Sequence, residues 1–212
     1  MIQILIADDH RLVREGIRRI LEEEQDFRVV AEASDGLEAL EKVRETNPDV
    51  ILLDVMMPNL DGVETTRRLA KKRKPPARII ILTMYADEHY AARLLRMGAS
   101  GYVVKDIAPA ELVEAIRAVC RGERYISAPL RDALAMRFIE GMDREPLDSL
   151  SDREFQVLRR LASGATNREI AQELSLSVKT VDAHRLNLLA KLKLRNNAEL
   201  TRFAVQNGIV NV

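Results

Sequence analysis

The sequence predicts an α/β protein: a doubly wound, five-stranded parallel sheet followed by a second, smaller all-α unit built on a helix-turn-helix. Three observations carry that prediction. Short β-rich runs alternate with stretches of helical periodicity over residues 1–120, the order expected of successive βα units. Those runs are nearly continuous Ile, Leu and Val, as in strands covered by helices on both faces. Beyond residue 147 the periodicity is helical and is punctuated by capping signals.

The strands are predicted at residues 2–7, 27–31, 50–53, 78–82 and 101–104. Between them apolar residues recur at helical spacing, as in Leu12, Ile17, Ile20 and Leu21, then Leu37, Leu40 and Val43. Ligands of such sheets bind beyond the carboxyl ends of the strands, where the strand order reverses. At those ends stand Asp8 with Asp9, Asp54, Thr83 and Lys105. Glu22, Glu23 and Glu24 form a solvated helix end, and the basic run from Lys71 to Lys74 complements a helix C-terminus.

Taken singly, an aspartate at a strand end is as readily a turn or N-cap residue as a functional one. Together these residues describe a pocket that accepts a phosphoryl group. Three carboxylates drawn together repel one another. A hard divalent cation such as Mg²⁺, which prefers carboxylate, carbonyl and water ligands, relieves that repulsion while gripping a phosphoryl oxygen. Asp54 then serves as nucleophile, Lys105 as fixed positive charge and Thr83 as hydroxyl donor. Phosphoryl transfer depends mainly on positioning and electrostatics, which suits such a set.

Residues 121–147 are predicted to be a connector, punctuated by Gly122, Pro129, Gly141 and Pro146. Leu130, Leu134, Met136, Phe138 and Ile139 mark one short helix within it, and residues 142–148 the best hinge. The second unit spans residues 148–212. Ser151 with Glu154 and Thr166 with Glu169 are capping boxes, each opening a helix, and Gly164 between them is a C-terminal stop. Ser177 caps a third helix with Val178, Val181, Leu188 and Leu192 on one face, and residues 198–206 form a fourth. The turn at residues 174–177 makes the pair a helix-turn-helix, a motif that docks its second helix in the major groove.

The formal net charge is zero, yet residues 149–212 carry 10 Lys and Arg against 6 Asp and Glu, whereas residues 1–120 hold 18 against 21. A basic tail is compatible with a polyanionic partner. Cys120 is the single cysteine, which excludes an intramolecular disulfide and a cysteine-built zinc site. Apolar runs such as residues 79–82 fall far short of the ~20 residues of a membrane span, and residues 1–4 enter a strand without a basic leader. A cytoplasmic protein with no membrane partner is expected. His10 and His89 are too far apart to suggest a metal site, and no glycine-rich phosphate loop or dinucleotide fingerprint occurs.

Residues 1–120 resemble the receiver domains of two-component response regulators. The matching residues are Asp8 and Asp9, Asp54 followed by Met56-Met57-Pro58-Asn59-Leu60-Asp61-Gly62, Thr83, and Tyr102 three residues before Lys105. The resemblance implies a flavodoxin-like fold in which Asp54 takes its phosphoryl group from a phosphohistidine on a sensor histidine kinase and loses it slowly. It implies Mg²⁺ held by Asp9, Asp54 and the backbone carbonyl of Met56, with Asp8 acting through water. It further implies a switch in which the Thr83 hydroxyl moves toward the phosphoryl oxygen while the Tyr102 ring turns inward. Many receivers follow the lysine with proline, where this chain has Asp106.

Residues 148–210 resemble the LuxR-type DNA-binding domain of the NarL/FixJ branch. The likeness lies in Leu150-Ser151-Asp152-Arg153-Glu154, Gly164, Asn167-Arg168-Glu169-Ile170-Ala171, Leu174, Ser177-Val178-Lys179-Thr180-Val181, His184 and Lys191-Leu192. It makes residues 178–194 the DNA-reading helix, with Lys179, Thr180 and Arg185 as phosphate or base contacts and Asp182 and Ala183 facing base edges. A basic residue is frequent at the Asp182 position, although a carboxylate there can accept from cytosine N4. His184 reads equally as a packed, hydrogen-bonded histidine. The chain is therefore expected to be a phosphorylation-controlled regulator of transcription, bound to double-stranded DNA as a homodimer. Three other readings stay open at this stage: an RNA-binding antiterminator, a signalling module whose tail binds protein while Asp54 acts as a phosphate sink, and a hydrolase using Asp54 as nucleophile.

Overall fold

The Ile, Leu and Val runs of the front segment form parallel strands: β1 (Ile2–Ala7), β2 (Phe27–Ala33), β3 (Val50–Asp54), β4 (Arg78–Thr83) and β5 (Gly101–Val104). A sixth, β6 (Tyr125–Ile126), joins the edge of β5, so the sheet order is β2-β1-β3-β4-β5-β6. Five strands were expected. The additional one is only two residues long, too short to show any periodicity, and its backbone pairs with an edge that would otherwise be open. The structure is a computed structural model and describes residues 1–71, 77–84, 88–128, 130, 131, 134, 150–174, 176–207, 209 and 210.

Helices α1 (Arg11–Glu22), α2 (Gly36–Thr46), α3 (Gly62–Ala70), α4 (Glu88–Arg96) and α5 (Pro109–Cys120) connect the strands. Alternation along each strand decides what they cover. Ile4 and Ile6, Val50 and Leu52, Ile80 and Leu82, and Val103 point to one face, where they pack with Ile17 and Leu21 of α1 and Leu112, Ile116 and Val119 of α5. Leu5, Ile51, Leu53, Ile81 and Tyr102 point the other way and are equally buried. Burying each such Leu or Ile contributes about 2 kcal/mol. Strand order reverses between β1 and β3, which places the loops after those two strands around one crevice.

The chain divides into two units, Met1–Ala135 and Met136–Val212. The first takes in β6, which the sequence reading assigned to the connector. Of that connector, the proposed hinge at 142–148 and the helix-forming Met136, Phe138 and Ile139 lie outside the described residues, as does most of the 71–74 basic run.

In the second unit four helices are described: α6 (Asp152–Ala162), α7 (Asn167–Glu173), α8 (Val178–Leu192) and α9 (Asn197–Gln206). Both capping boxes form, with Ser151 and Thr166 accepting from the backbone of Glu154 and Glu169 and the glutamates reaching back. Gly164 adopts φ 88, the left-handed conformation that ends α6 and favours glycine. Val157, Leu158, Ile170, Val181, Leu188 and Leu200 form the core between these helices.

Three residues read as core-facing are instead exposed: Leu12 at 82%, Leu37 at 51% and Val178 at 45%. Each lies in the first turn of its helix. Helical Cα–Cβ bonds lean toward the N-terminus, so a first-turn side chain covers surface beyond the helix end rather than the packed face.

Candidate functional site

Asp54 and Thr83 are the last residues of β3 and β4, Asp8 follows β1 directly and Lys105 follows β5. In a parallel sheet all four therefore emerge on the same edge. Lys105 Nζ lies 2.6 Å from Asp8 Oδ2 and 2.8 Å from Asp54 Oδ2, bridging the two carboxylates. Its backbone N–H donates to Thr83 O at 2.7 Å, which ties the end of β5 to the end of β4. Asp8, Asp54 and Thr83 are almost wholly buried, whereas Asp9 and His10 stand at the exposed mouth.

Burial pushes the Asp54 carboxyl up to about 6, against the pull of Lys105 beside it. Burial also works against the charge on Lys105, but Asp54 and Asp8 together hold its pKa above the usual lysine value. At neutral pH the geometry thus presents an ionised, partly desolvated carboxylate held by one ammonium, the state required of an oxygen nucleophile.

The loop after Asp54 closes back on the strand. Gly62 N–H donates to Val55 O at 3.0 Å, and a side chain on Gly62 would run into the Asp54 carbonyl oxygen. Asp61 caps α3 by accepting from Glu64 N–H at 2.8 Å. Met56 lies in this loop, half-buried and two residues after Asp54, and its backbone N–H donates to the Asp54 carboxylate. Tyr102 is fully buried, on the same face as Ile81 and therefore on the Thr83 side of the sheet. The Tyr102 ring is thus enclosed within the fold.

Carboxylate oxygens of Asp8, Asp9 and Asp54 and a ring nitrogen of His10 all lie within 4.8 Å of one another. A donor set dominated by carboxylate oxygen fits a hard divalent cation. His10, set aside in the sequence reading, joins the cluster because its Nδ1 sits 2.8 Å from Asp9 Oδ1, while its backbone N–H donates to Asp8 Oδ1 at 2.8 Å. Arg14 was also missed. Its Nη1 donates to Asp8 O at 2.6 Å and its Nε to Glu32 at 3.1 Å, so β2 braces the loop that carries both aspartates. The available signal was an arginine in the second turn of α1, with an acidic residue on the adjacent strand.

In the second unit, Ser177 caps α8 by accepting from Thr180 N–H at 3.0 Å. Val181, Leu188, Leu189 and Leu192 are buried, which turns Lys179, Thr180 and Ala183 outward. Asp182 and Arg185 lie between the two faces. Arg185 donates to Asp182 Oδ1 at 3.0 Å through Nε and to Asn197 Oδ1 at 3.3 Å through Nη1, and Asn167 donates to Asp182 at 3.4 Å. The unexpected carboxylate is therefore a tie among α7, α8 and α9, and His184 is half-buried on the neighbouring turn. Leu186, absent from the sequence-derived contacts, is 55% exposed one turn beyond Asp182 and Ala183. Lys191 Nζ lies 2.6 Å from Glu154 Oε2 and binds α8 to the capping box of α6.

A buried lysine bridging two strand-end aspartates, in a chain that ends in a helix-turn-helix, defines a regulator with a phosphoacceptor unit and a DNA-reading unit. The family model for the response regulator receiver domain matches residues 4–117, and that for bacterial regulatory proteins of the luxR family matches residues 148–204. The chain belongs to the two-component response regulators of the NarL/FixJ branch, DNA-binding regulators of transcription. It is 41% identical to the response regulator UvrY of Escherichia coli over 212 residues, covering 100% of this chain and 97% of that one. It is 40% identical to the oxygen regulatory protein NreC of Staphylococcus aureus over 215 residues, covering 98% and 99%. Among solved structures, an RcsB response regulator of Salmonella typhimurium aligns with a TM-score of 0.63 at 28% identity, over 96% of this chain and 98% of that one. An RcsB–DNA complex aligns at 0.61 and 29%, over 95% and 96%.

No described helix is long and apolar enough to cross a membrane.

Proposed function

We propose that this chain is cytoplasmic, that Asp54 accepts a phosphoryl group from the phosphohistidine of a cognate sensor histidine kinase, and that the resulting acyl phosphate controls DNA binding by α8. What supports this most is the single ammonium of Lys105 held between Asp8 and Asp54 at the edge where the sheet order reverses. An Asp54 oxygen attacks phosphorus, the new P–O bond forms as the N–P bond of the donor breaks, and the electron pair returns to the imidazole nitrogen. Lys105 moves from a carboxylate partner to a phosphoryl oxygen, and the Thr83 hydroxyl donates to another.

Asp9, Asp54 and the Met56 backbone carbonyl would hold Mg²⁺, with Asp8 acting through water. When bound, that ion neutralises charge developing on the transferred group. Hydrolysis of the acyl phosphate in the same pocket ends the signal. Tyr102, packed on the Thr83 side, carries the change outward along β5.

The functional division is a receiver over residues 1–120, a connector over 121–147 and a reader over 148–212. Lys179 and Thr180 contact phosphates, Ala183 faces base edges, and Arg185 contacts DNA as oriented by Asp182, which lies beside the bases. Leu186 extends that surface and suits a thymine methyl. Two chains pair when phosphorylated and engage two half-sites, the second engagement being effectively intramolecular. A selection on random DNA duplexes with and without acetyl phosphate tests the reading. Recovery of one sequence class, enriched by phosphorylation, is expected, and enrichment of RNA hairpins or of no nucleic acid would reject it.

A further inference from the structure

Ser127, the residue after β6, is fully buried, yet neither the pocket nor the reading helix uses it. Its N–H donates to Tyr102 O at 3.0 Å, and its Oγ accepts from Val104 N–H at 3.2 Å. It therefore grips β5 on both sides of Val103. Two residues earlier Tyr125 N–H donates to Ser100 O at 3.2 Å, and β6 runs in register with Gly101 and Tyr102. Immediately afterward the chain turns, with Leu130 N–H donating to Ser127 O at 3.0 Å, and continues as the connector. A serine before a helical turn commonly caps that turn with its hydroxyl. Here the hydroxyl engages another strand instead.

The strand it engages is the one on which pocket and switch meet. Tyr102 lies on β5, Lys105 follows it, and the Lys105 N–H is bonded to Thr83 O at 2.7 Å. Any displacement of β5 that accompanies a change at Asp54 passes to β6 through their strand pairing, and the two bonds furthest along β5, to Tyr102 O and from Val104 N–H, are both formed by Ser127. Coupling between distant sites needs such a contiguous element with two arrangements that both sites bias.

We infer that Ser127 is a positioning residue that couples the phosphoacceptor pocket to the DNA-reading unit by fastening the connector to β5 between Tyr102 and Lys105. The inference rests on the proposed control of DNA binding through Asp54. It assigns to the sixth strand the role of an output lever rather than of an edge cover.

The test compares the full-length chain with its Ser127→Ala and Tyr125→Phe variants. Tyr125→Phe removes only the bond from Tyr125 Oη to Glu111 on α5, 2.9 Å long, and leaves the grip on β5 intact. Mass spectrometry measures acyl phosphate after acetyl phosphate treatment, and a titration measures duplex affinity before and after. The wild type and Tyr125→Phe are expected to tighten by about ten-fold, in the usual range of allosteric coupling. Ser127→Ala is expected to carry as much acyl phosphate, to keep the resting affinity and to tighten by less than about three-fold. Equal tightening in Ser127→Ala, or a matching fall in its acyl phosphate, overturns the inference. A wild type that is phosphorylated without tightening removes the parent reading instead. Hydrogen exchange on the wild type needs no variant: protection of the Tyr125 and Ser127 amides must change when beryllofluoride and Mg²⁺ are added, and unchanged protection also overturns the inference.

Discussion

The two functional surfaces use charge in opposite ways. In the pocket, Asp8, Asp54 and Lys105 are removed from water, with side chains 0%, 6% and 9% exposed, and each is stable only because the others are present. On α8, Lys179, one of the two cations that would meet DNA, stands in solvent. Buried charges interact strongly and tolerate no loss of a partner. Exposed ones are screened by salt and cost the fold little when removed. The first arrangement suits a switch that must respond to one added phosphoryl group, the second a surface that must bind and release a long polyanion. Substitutions should therefore separate the two regions: stability and signalling fall together in the first, whereas affinity falls alone in the second.

The largest effect is expected at Lys105. Lys105→Met strands two buried carboxylates, and urea unfolding in magnesium-free buffer should show a loss of about 3 kcal/mol. An unchanged midpoint would mean that the bridge is not formed in solution.

Glu154 offers the counterpart within the reading unit, a buried carboxylate in a fold whose DNA surface is exposed. Burial pushes its carboxyl up, but Lys191 and the Ser151 capping bonds outweigh that and hold it below the ordinary 4.5. A depressed native value means that the unfolded chain binds more protons at acid pH. Its contribution is therefore present above 4.5 and is lost as pH falls through the lower native value. Glu154→Gln should lower stability by about 2 kcal/mol at pH 7. Thermal unfolding of variant and parent should converge below pH 4.5, and a gap independent of pH would remove the ion pair from the account.

Smaller effects distinguish the surface. Lys179→Ala should leave unfolding within about 0.5 kcal/mol of the parent. It should also make the salt dependence of duplex binding shallower by about 0.9 in log–log slope, as for one lost phosphate contact. An unaltered slope would place Lys179 away from DNA. The smallest expected change is at Leu186: Leu186→Ala should cost about 1 kcal/mol in discrimination for thymine over uracil at one position, with no change in slope. Equal loss on both duplexes would point to a general contact.

Much of this was legible in the sequence, for physical reasons that differ by residue. Asp8, Asp54, Thr83 and Lys105 could be placed because uninterrupted Ile and Leu runs mark buried parallel strands, whose carboxyl ends define an edge. Ser151, Thr166 and Ser177 announced their helices through hydrogen bonds local in sequence. β6 could not be read, since a two-residue strand is specified by an open edge rather than by its own pattern. Ser127 and Arg14 were hidden for the same reason, because both act on backbone groups that only the tertiary fold brings near. Leu12, Leu37 and Val178 match the helical period but lie in first turns, where periodicity no longer reports burial. Asp182 seemed misplaced only while Arg185 and Asn167 were out of sight.

The central claim is that one carboxylate, Asp54, governs how tightly α8 holds DNA. Duplex affinity of the full chain and of Asp54→Ala, each measured with and without beryllofluoride and Mg²⁺, addresses it most directly. The wild type should tighten about ten-fold while Asp54→Ala keeps the resting affinity and does not respond. Equal tightening in both proteins would contradict the account.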